Sequence, residues 1–250
     1  MTPTLPAVAA TSASTIGRKR RSWVSRALTT RPGPWSRKPR ASSRTRGITS
    51  GCWYHHPTRG AARIVVTAHI DAKKGTPGAI DNATGVAVLL LLAELLADYN
   101  GNSMVELVAL NGEDYYAVPG QMDYINRNRD AFQEILLNIN IDGAAYREGP
   151  SAYSFYELPG DLRALGERTF ARFTGLTEGP AWPQGDHSIF LFNGRPAIAL
   201  SSLWFSENID SQEITHTPAD NLSIVEPSKV VEIARALDAF VREATEPQRR

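Results

Sequence analysis

The sequence predicts an α/β domain of three layers, with helices on both faces of a mostly parallel mixed central sheet. Two patterns carry that expectation. Short apolar, β-branched runs alternate with helix-like segments from about residue 64 onward. Ionisable residues recur where those runs end, which is where open α/β sheets form their ligand crevice. Size agrees: 250 residues, 42% of them hydrophobic, suit one large α/β domain or two small ones and exclude wholesale disorder.

Taken in order, Ile64 to Ala68 reads as a buried strand. Asp81-Asn82-Ala83-Thr84-Gly85 is a turn with helix-start residues, opening an apolar helix that runs to about Asp98. Asn100-Gly101-Asn102 is a turn, followed by a second strand over Val105–Leu110. Residues 119–133 read as a helix and Ile135–Ile141 as a third strand. Leu158–Phe173 reads as a helix and Pro196–Leu200 as a short buried strand. Val230, Ile233, Ala234, Leu237, Phe240 and Val241 fall at i, i+3, i+4, i+7 spacing, so the last element is an amphipathic helix entered near Pro227.

Composition excludes several classes. Val86 to Ala97 contains Glu94 and stops short of a membrane span. The single cysteine, Cys52, excludes an internal disulfide and a Cys-rich zinc site, so any metal site must use His and carboxylates. There is no Gly-rich phosphate loop, and Ser201-Ser202 does not sit in a nucleophile elbow.

The formal charge of +1 conceals an asymmetry. Residues 1–70 hold 13 Lys and Arg and no acid; the other 180 residues hold 14 against all 26 acids, a net of −12. The domain expectation is a basic segment over 1–58, disordered or misassigned, and a catalytic domain over 59–246. Arg- and Ser-rich, acid-free composition fits a solvated tail, a transit segment or a nucleic-acid-binding arm; the first is the expectation, with no nucleic-acid partner. His55-His56 beside Cys52 reads as a loop of that basic segment. Without a convincing secretory signal, the default compartment is the cytoplasm. Oligomeric state is not legible.

The chemistry sits where the strands end: His69-Ile70-Asp71, Asn111-Gly112-Glu113-Asp114, and Asn140-Ile141-Asp142-Gly143. Singly, each is weak; a lone Asp before Gly or Asn is usually a turn former or cap. Together they bring a constellation to one edge. His69 and Asp71 share a strand face, so Asp71 can accept the distal ring N–H of His69 and fix its tautomer. Of the adjacent carboxylates Glu113 and Asp114, one can bind metal while the other faces a water. Asp81 has two oxygens with which to bridge two cations. His and carboxylates without thiolate suit zinc, with Co or Mn as alternatives.

These motifs, with Gly78-Ala79-Ile80-Asp81-Asn82-Ala83-Thr84-Gly85, Gly185-Asp186-His187 and His216-Thr217-Pro218-Ala219-Asp220 in the same order, resemble the zinc-dependent aminopeptidase family over about residues 63–245. That family includes bacterial leucyl aminopeptidases, glutamate carboxypeptidase and glutaminyl cyclases. The resemblance implies a zinc exopeptidase-like fold and a two-zinc centre. His69 and Asp142 would hold one ion and Asp114 and His216 the other, with Asp81 bridging. Glu113 would be the general base and Asp71 the orienter of His69. Peptides with a free N-terminus are the implied substrates. A glutaminyl cyclase, or an inactive binding domain of the same fold, is the alternative.

Three departures from the family pattern stand out. The dyad is Glu113-Asp114 rather than Glu-Glu, Thr215 stands where some members have Tyr, and residues 1–58 do not read as the usual upstream helix and edge strands. Asp186-His187 reads equally as a helix-start cap or a substrate contact. Trp182, Phe190, Phe192, Trp204 and Phe205 divide between pocket, core and rim.

Overall fold

Alternating apolar runs build one eight-stranded sheet, seen in a computed structural model that describes residues 36–37, 52–56, 62–115 and 119–245. The strands are β1 (Ser36–Arg37), β2 (Cys52–His56), β3 (Arg63–His69), β4 (Met104–Leu110), β5 (Ile135–Ile141), β6 (Ser151–Tyr156), β7 (Leu176–Glu178) and β8 (Ala197–Ser202). Their order is β1-β2-β4-β3-β5-β8-β6-β7. The centre is parallel: β3 pairs β4 and β5, and β5 pairs β8. Antiparallel pairs flank it at β2/β4 and β6/β8. The mixed, mostly parallel sheet is therefore as expected.

Helices cover both faces. On one face lie α1 (Thr84–Leu95), α3 (Gly160–Phe170) and α6 (Pro227–Thr245), packed on Ile64, Val66 and Ala68 of β3. On the other lie α2 (Pro119–Asn128) and α4 (His187–Phe192); Tyr124, Ile189 and Phe190 pack there with Val65 and Val108. Alternate β3 residues thus face opposite layers, as the two-residue strand period requires. By length and composition Ala79–Asp98 could cross a membrane, but more than half of it is buried in this core. A short helix, α5 (Leu203–Asn208), follows β8.

The second face also buries an ion pair. Arg63 Nη1 lies 3.3 Å from Glu106 Oε2, and the Tyr124 hydroxyl donates to the same oxygen at 3.1 Å. Arg63 further donates to Asn128 Oδ1 at 2.9 Å and the Ala131 carbonyl at 2.7 Å, tying β3, β4 and the end of α2 together.

The sheet reaches N-terminal of residue 59. β2 pairs along β4, with Trp53 opposite Val108, and β1 pairs with β2. His55 and His56 are strand residues, not loop, and the sheet extends into the segment expected to lie outside the domain. Pairing with β2 satisfies the peptide groups on the open side of β4, a gain that depends on a partner distant in sequence. The remainder of 1–58, and with it the reading of that arm as a tail, lies outside the described residues. β6 and β7 were also not foreseen. Ser151-Ala-Tyr-Ser-Phe-Tyr lacks a β-branched run, and its Tyr153 and Phe155 pack against Phe170 of α3, a contact between distant segments.

Candidate active site

Parallel strands deliver their carboxyl ends to one edge, and the ionisable residues arrive there together. His69 ends β3, the Asn111–Asp114 turn follows β4, and Asp142 follows β5. Asp81 comes from the irregular turn Ala79–Ala83 ahead of α1, where the Asp81–Asn82 peptide is cis. His216 comes from the loop after α5, with φ at 62°.

Asp81 stands between the two histidines. Its Oδ1 lies 3.0 Å from His69 Nε2, and its Oδ2 lies 3.2 Å from His216 Nε2. His69 Nε2 is also 3.4 Å from Asp142 Oδ1, and His216 Nε2 is 2.9 Å from Asp114 Oδ1. The ligand atoms of His69, Glu113 and Asp142 lie within 4.8 Å of one another, as do those of His69, Asp81 and Asp114. Asp114 Oδ2 is buried without a hydrogen-bond partner. A buried carboxylate oxygen left bare is costly unless a cation meets it. The donor set, two imidazoles and several carboxylates, suits zinc.

Two glycines make the turns possible. Gly112 has φ of 94°, and a Cβ there would lie 2.2 Å from Pro119 Cδ. Gly143, beside Asp142, has φ of 71° and faces Ser201 Oγ at 2.8 Å from its absent Cβ. Only glycine adopts such backbone at little cost. Ser202, considered in the sequence only as a nucleophile and set aside, fixes the Asp142 loop: its hydroxyl donates to the Gly143 carbonyl at 2.8 Å and accepts from Tyr146 N at 3.0 Å.

Asp71 stands differently from the expectation. Its backbone carbonyl lies 3.1 Å from His69 Nδ1, and its carboxylate lies further off, at 3.7 Å. The carboxylate instead accepts the N–H groups of Gly112 (2.7 Å), Glu113 (3.3 Å) and Asp114 (3.2 Å). Three convergent amides outcompete one ring nitrogen for two oxygens. Asp71 thus orients His69 mainly through its main chain and organises the Glu113-Asp114 turn through its side chain.

The electrostatics follow from crowding. Burial works to raise Asp81, but hydrogen bonds and charge from His216 and His69 outweigh it and hold the carboxyl well below its usual range. Glu113 goes the other way: burial, then the Asp142, Asp186 and Asp81 carboxylates, push it up to about 8 against the opposing pull of His69. Hydrogen bonding to Asp81, with its charge and that of Asp114, raises His216 despite partial burial.

A cavity of about 370 Å³ opens over this cluster. Asp81, Glu113, Asp114 and Asp142 line one side, and Trp182, Phe205 and Ile209 supply apolar surface. Of the other aromatics, Phe190 is in the core, Phe192 is exposed, and Trp204 packs on Tyr146. Thr215 lines the cavity beside His216, its Oγ1 accepting from Gln212 Nε2.

Asp186 and His187 settle as neither cap nor pocket wall. Asp186 makes no side-chain cap for α4; its Oδ1 accepts from Gln121 Nε2 at 2.6 Å, and burial pushes the carboxyl up to about 6. His187 Nε2 lies 3.1 Å from the Trp182 carbonyl, which the Tyr156 hydroxyl also reaches at 2.8 Å. His187 thereby holds Trp182 of the apolar wall in place, while Asp186 ties the start of α4 to α2. Nothing in the sequence pairs Gln121 with Asp186, 65 residues away.

A histidine–carboxylate cluster at the carboxyl ends of a parallel sheet marks an α/β domain equipped to hold metal. A model of Peptidase family M28 matches residues 54–241, and the chain belongs to that family. Aminopeptidase YwaD of Bacillus subtilis is 21% identical over 192 residues, 75% of this chain and 42% of that protein. The solved structure of a zinc aminopeptidase from Bacillus subtilis superposes with a TM-score of 0.66 at 20% identity, covering 80% of this chain and 51% of that one. A Fimbriiglobus ruber glutaminyl cyclase shares the fold at a TM-score of 0.63 and 17% identity, covering 77% of this chain and 74% of its own. The chain thus spans about half the length, or less, of the two aminopeptidases.

Proposed function

We propose that this chain is a zinc-dependent aminopeptidase that removes N-terminal residues from peptides at a two-metal centre. The observation that carries the reading is Asp81, whose two oxygens face His69 and His216 respectively. His69 and Asp142 would hold one ion, Asp114 and His216 the other, and Asp81 both. Bound zinc supplies Lewis acidity, which polarises a carbonyl and eases ionisation of water near neutral pH.

The protein's own groups do the rest. Glu113 borders the cavity without being needed as a ligand, so its carboxylate is free to take a proton from the attacking water and return it to the leaving amine. Asp71 keeps the Glu113-Asp114 turn in register. The surrounding carboxylates favour a substrate's free α-ammonium, while Trp182, Phe205 and Ile209 provide a surface for its side chain. Peptides with a free N-terminus are accordingly the substrates.

The test is hydrolysis of a panel of aminoacyl p-nitroanilides by purified protein, before and after chelation, with zinc restored. Zinc-restorable release of p-nitroaniline is expected. A soluble, zinc-loaded protein inactive on every residue would overturn the aminopeptidase reading. A glutaminyl cyclase is the second reading, since one shares this fold; ammonia release from N-terminal glutaminyl peptides separates it.

A further inference from the structure

We infer that Asp220 couples the two metal positions, by hydrogen-bonding the backbone of the bridging residue to the loop that carries His216. The inference rests on the two-metal reading above. His216 lies on a turn-rich loop and is 40% exposed in its side chain, so the loop does little by itself to fix the imidazole. Four residues on, Asp220 is fully buried. Its Oδ1 accepts the Ile80 N–H at 2.6 Å and its Oδ2 the Asp81 N–H at 3.1 Å, while its carbonyl accepts from Ala79 N at 3.4 Å. Three successive amides of the Asp81 turn are therefore held by one residue 140 positions away.

The loop between is short and closed. Asp220 N donates to the Thr217 carbonyl at 3.2 Å, and Asn221 N to the Ala219 carbonyl at 2.9 Å. A shift of His216 is thus passed to Asp220, and from there to the backbone of Asp81. Asp81 faces His69 as well as His216, so a disturbance of Asp220 reaches both halves of the site. Asp220 lies outside the cavity lining and touches no substrate; it is a positioning residue.

Asp220→Asn tests this. The amide keeps one acceptor for Ile80 N–H but turns an NH2 toward Asp81 N–H, donor against donor. Zinc affinity is read by competition with a chromophoric chelator, and protection of the Ile80 and Asp81 amides by hydrogen exchange in metal-free protein. Asp210→Asn, an exposed change on the same loop, is the control. For D220N we expect both zinc equivalents to weaken together, each by about 10- to 100-fold, with lost protection at Ile80 and Asp81. Wild-type affinity in D220N, or weakening of one equivalent alone, overturns the coupling. A purely structural role would lower the thermal midpoint but leave zinc affinity per folded molecule unchanged, and that also overturns it. Wild-type protein that takes up no zinc would instead sink the two-metal reading itself, and this inference with it.

Discussion

Replacing Asp71 by Asn probes the turn that carries Glu113 and Asp114. The carboxylate accepts three amides: Oδ1 from Gly112 and Glu113, Oδ2 from Asp114. Asn is isosteric but uncharged, and only its oxygen accepts. With that oxygen toward Gly112, the closest donor, its NH2 meets the Asp114 N–H. One charge-assisted bond is lost and two are weakened. At about 1.5–3 kcal/mol for a bond to a charged group, the cost is about 2–4 kcal/mol of stability. Urea unfolding of chelator-treated protein measures it. In zinc-loaded protein kcat should fall about 10- to 100-fold, in line with other residues that act behind a metal site. KM should move little, because Asp71 does not line the cavity. Stability within about 0.5 kcal/mol of wild type together with unchanged kcat would refute the assignment of Asp71 to this turn.

Other perturbations have separate readouts. Glu113→Gln should lower kcat by about 10²- to 10⁴-fold, the usual worth of a general base, while zinc affinity stays within a few-fold; undiminished turnover removes Glu113 from that role. Arg63→Met removes the guanidinium 3.3 Å from the buried Glu106 carboxylate and its bonds to Asn128 and Ala131, and should cost about 3–5 kcal/mol in urea unfolding. Adding Glu106→Gln should recover the part of that loss due to charge; no recovery would mean that packing and the bonds to Asn128 and Ala131 dominate. Burial depresses His187 below the ordinary histidine value. The unfolded chain therefore takes up its proton first, and stability present above about pH 6.5 is lost as pH falls, by about 1.4 kcal/mol per unit. His187→Gln should remove that component, so the wild-type-minus-variant difference shrinks between pH 7.5 and 5.5; a constant difference contradicts it.

Much of the site was legible because its residues belong to local patterns. A strand that ends in His-Ile-Asp places His69 at the sheet edge whatever surrounds it, and the strands before Glu113 and Asp142 do the same. The apolar helix after Asp81 and the periodic helix over 230–241 are equally local, since period and capping are written in neighbouring residues. The three helix-covered layers follow from that alternation.

What the sequence did not determine is set by contacts between distant segments. That Cys52–His56 is a strand depends on the open side of β4, since an edge strand forms where unpaired peptide groups await it. The Asp71 carboxylate turns to three amides of the dyad turn because folding brings that turn within 2.7 Å. Asp186 becomes a buried partner of Gln121 rather than a cap, and Asp220 reaches across 140 positions to the Asp81 turn. Sequence by itself determined which ionisable groups the strands present, because that is a matter of local periodicity. Only the tertiary structure decided which of them face the cavity and which hold others in place, because a buried carboxylate takes whatever donors the packed chain brings to it.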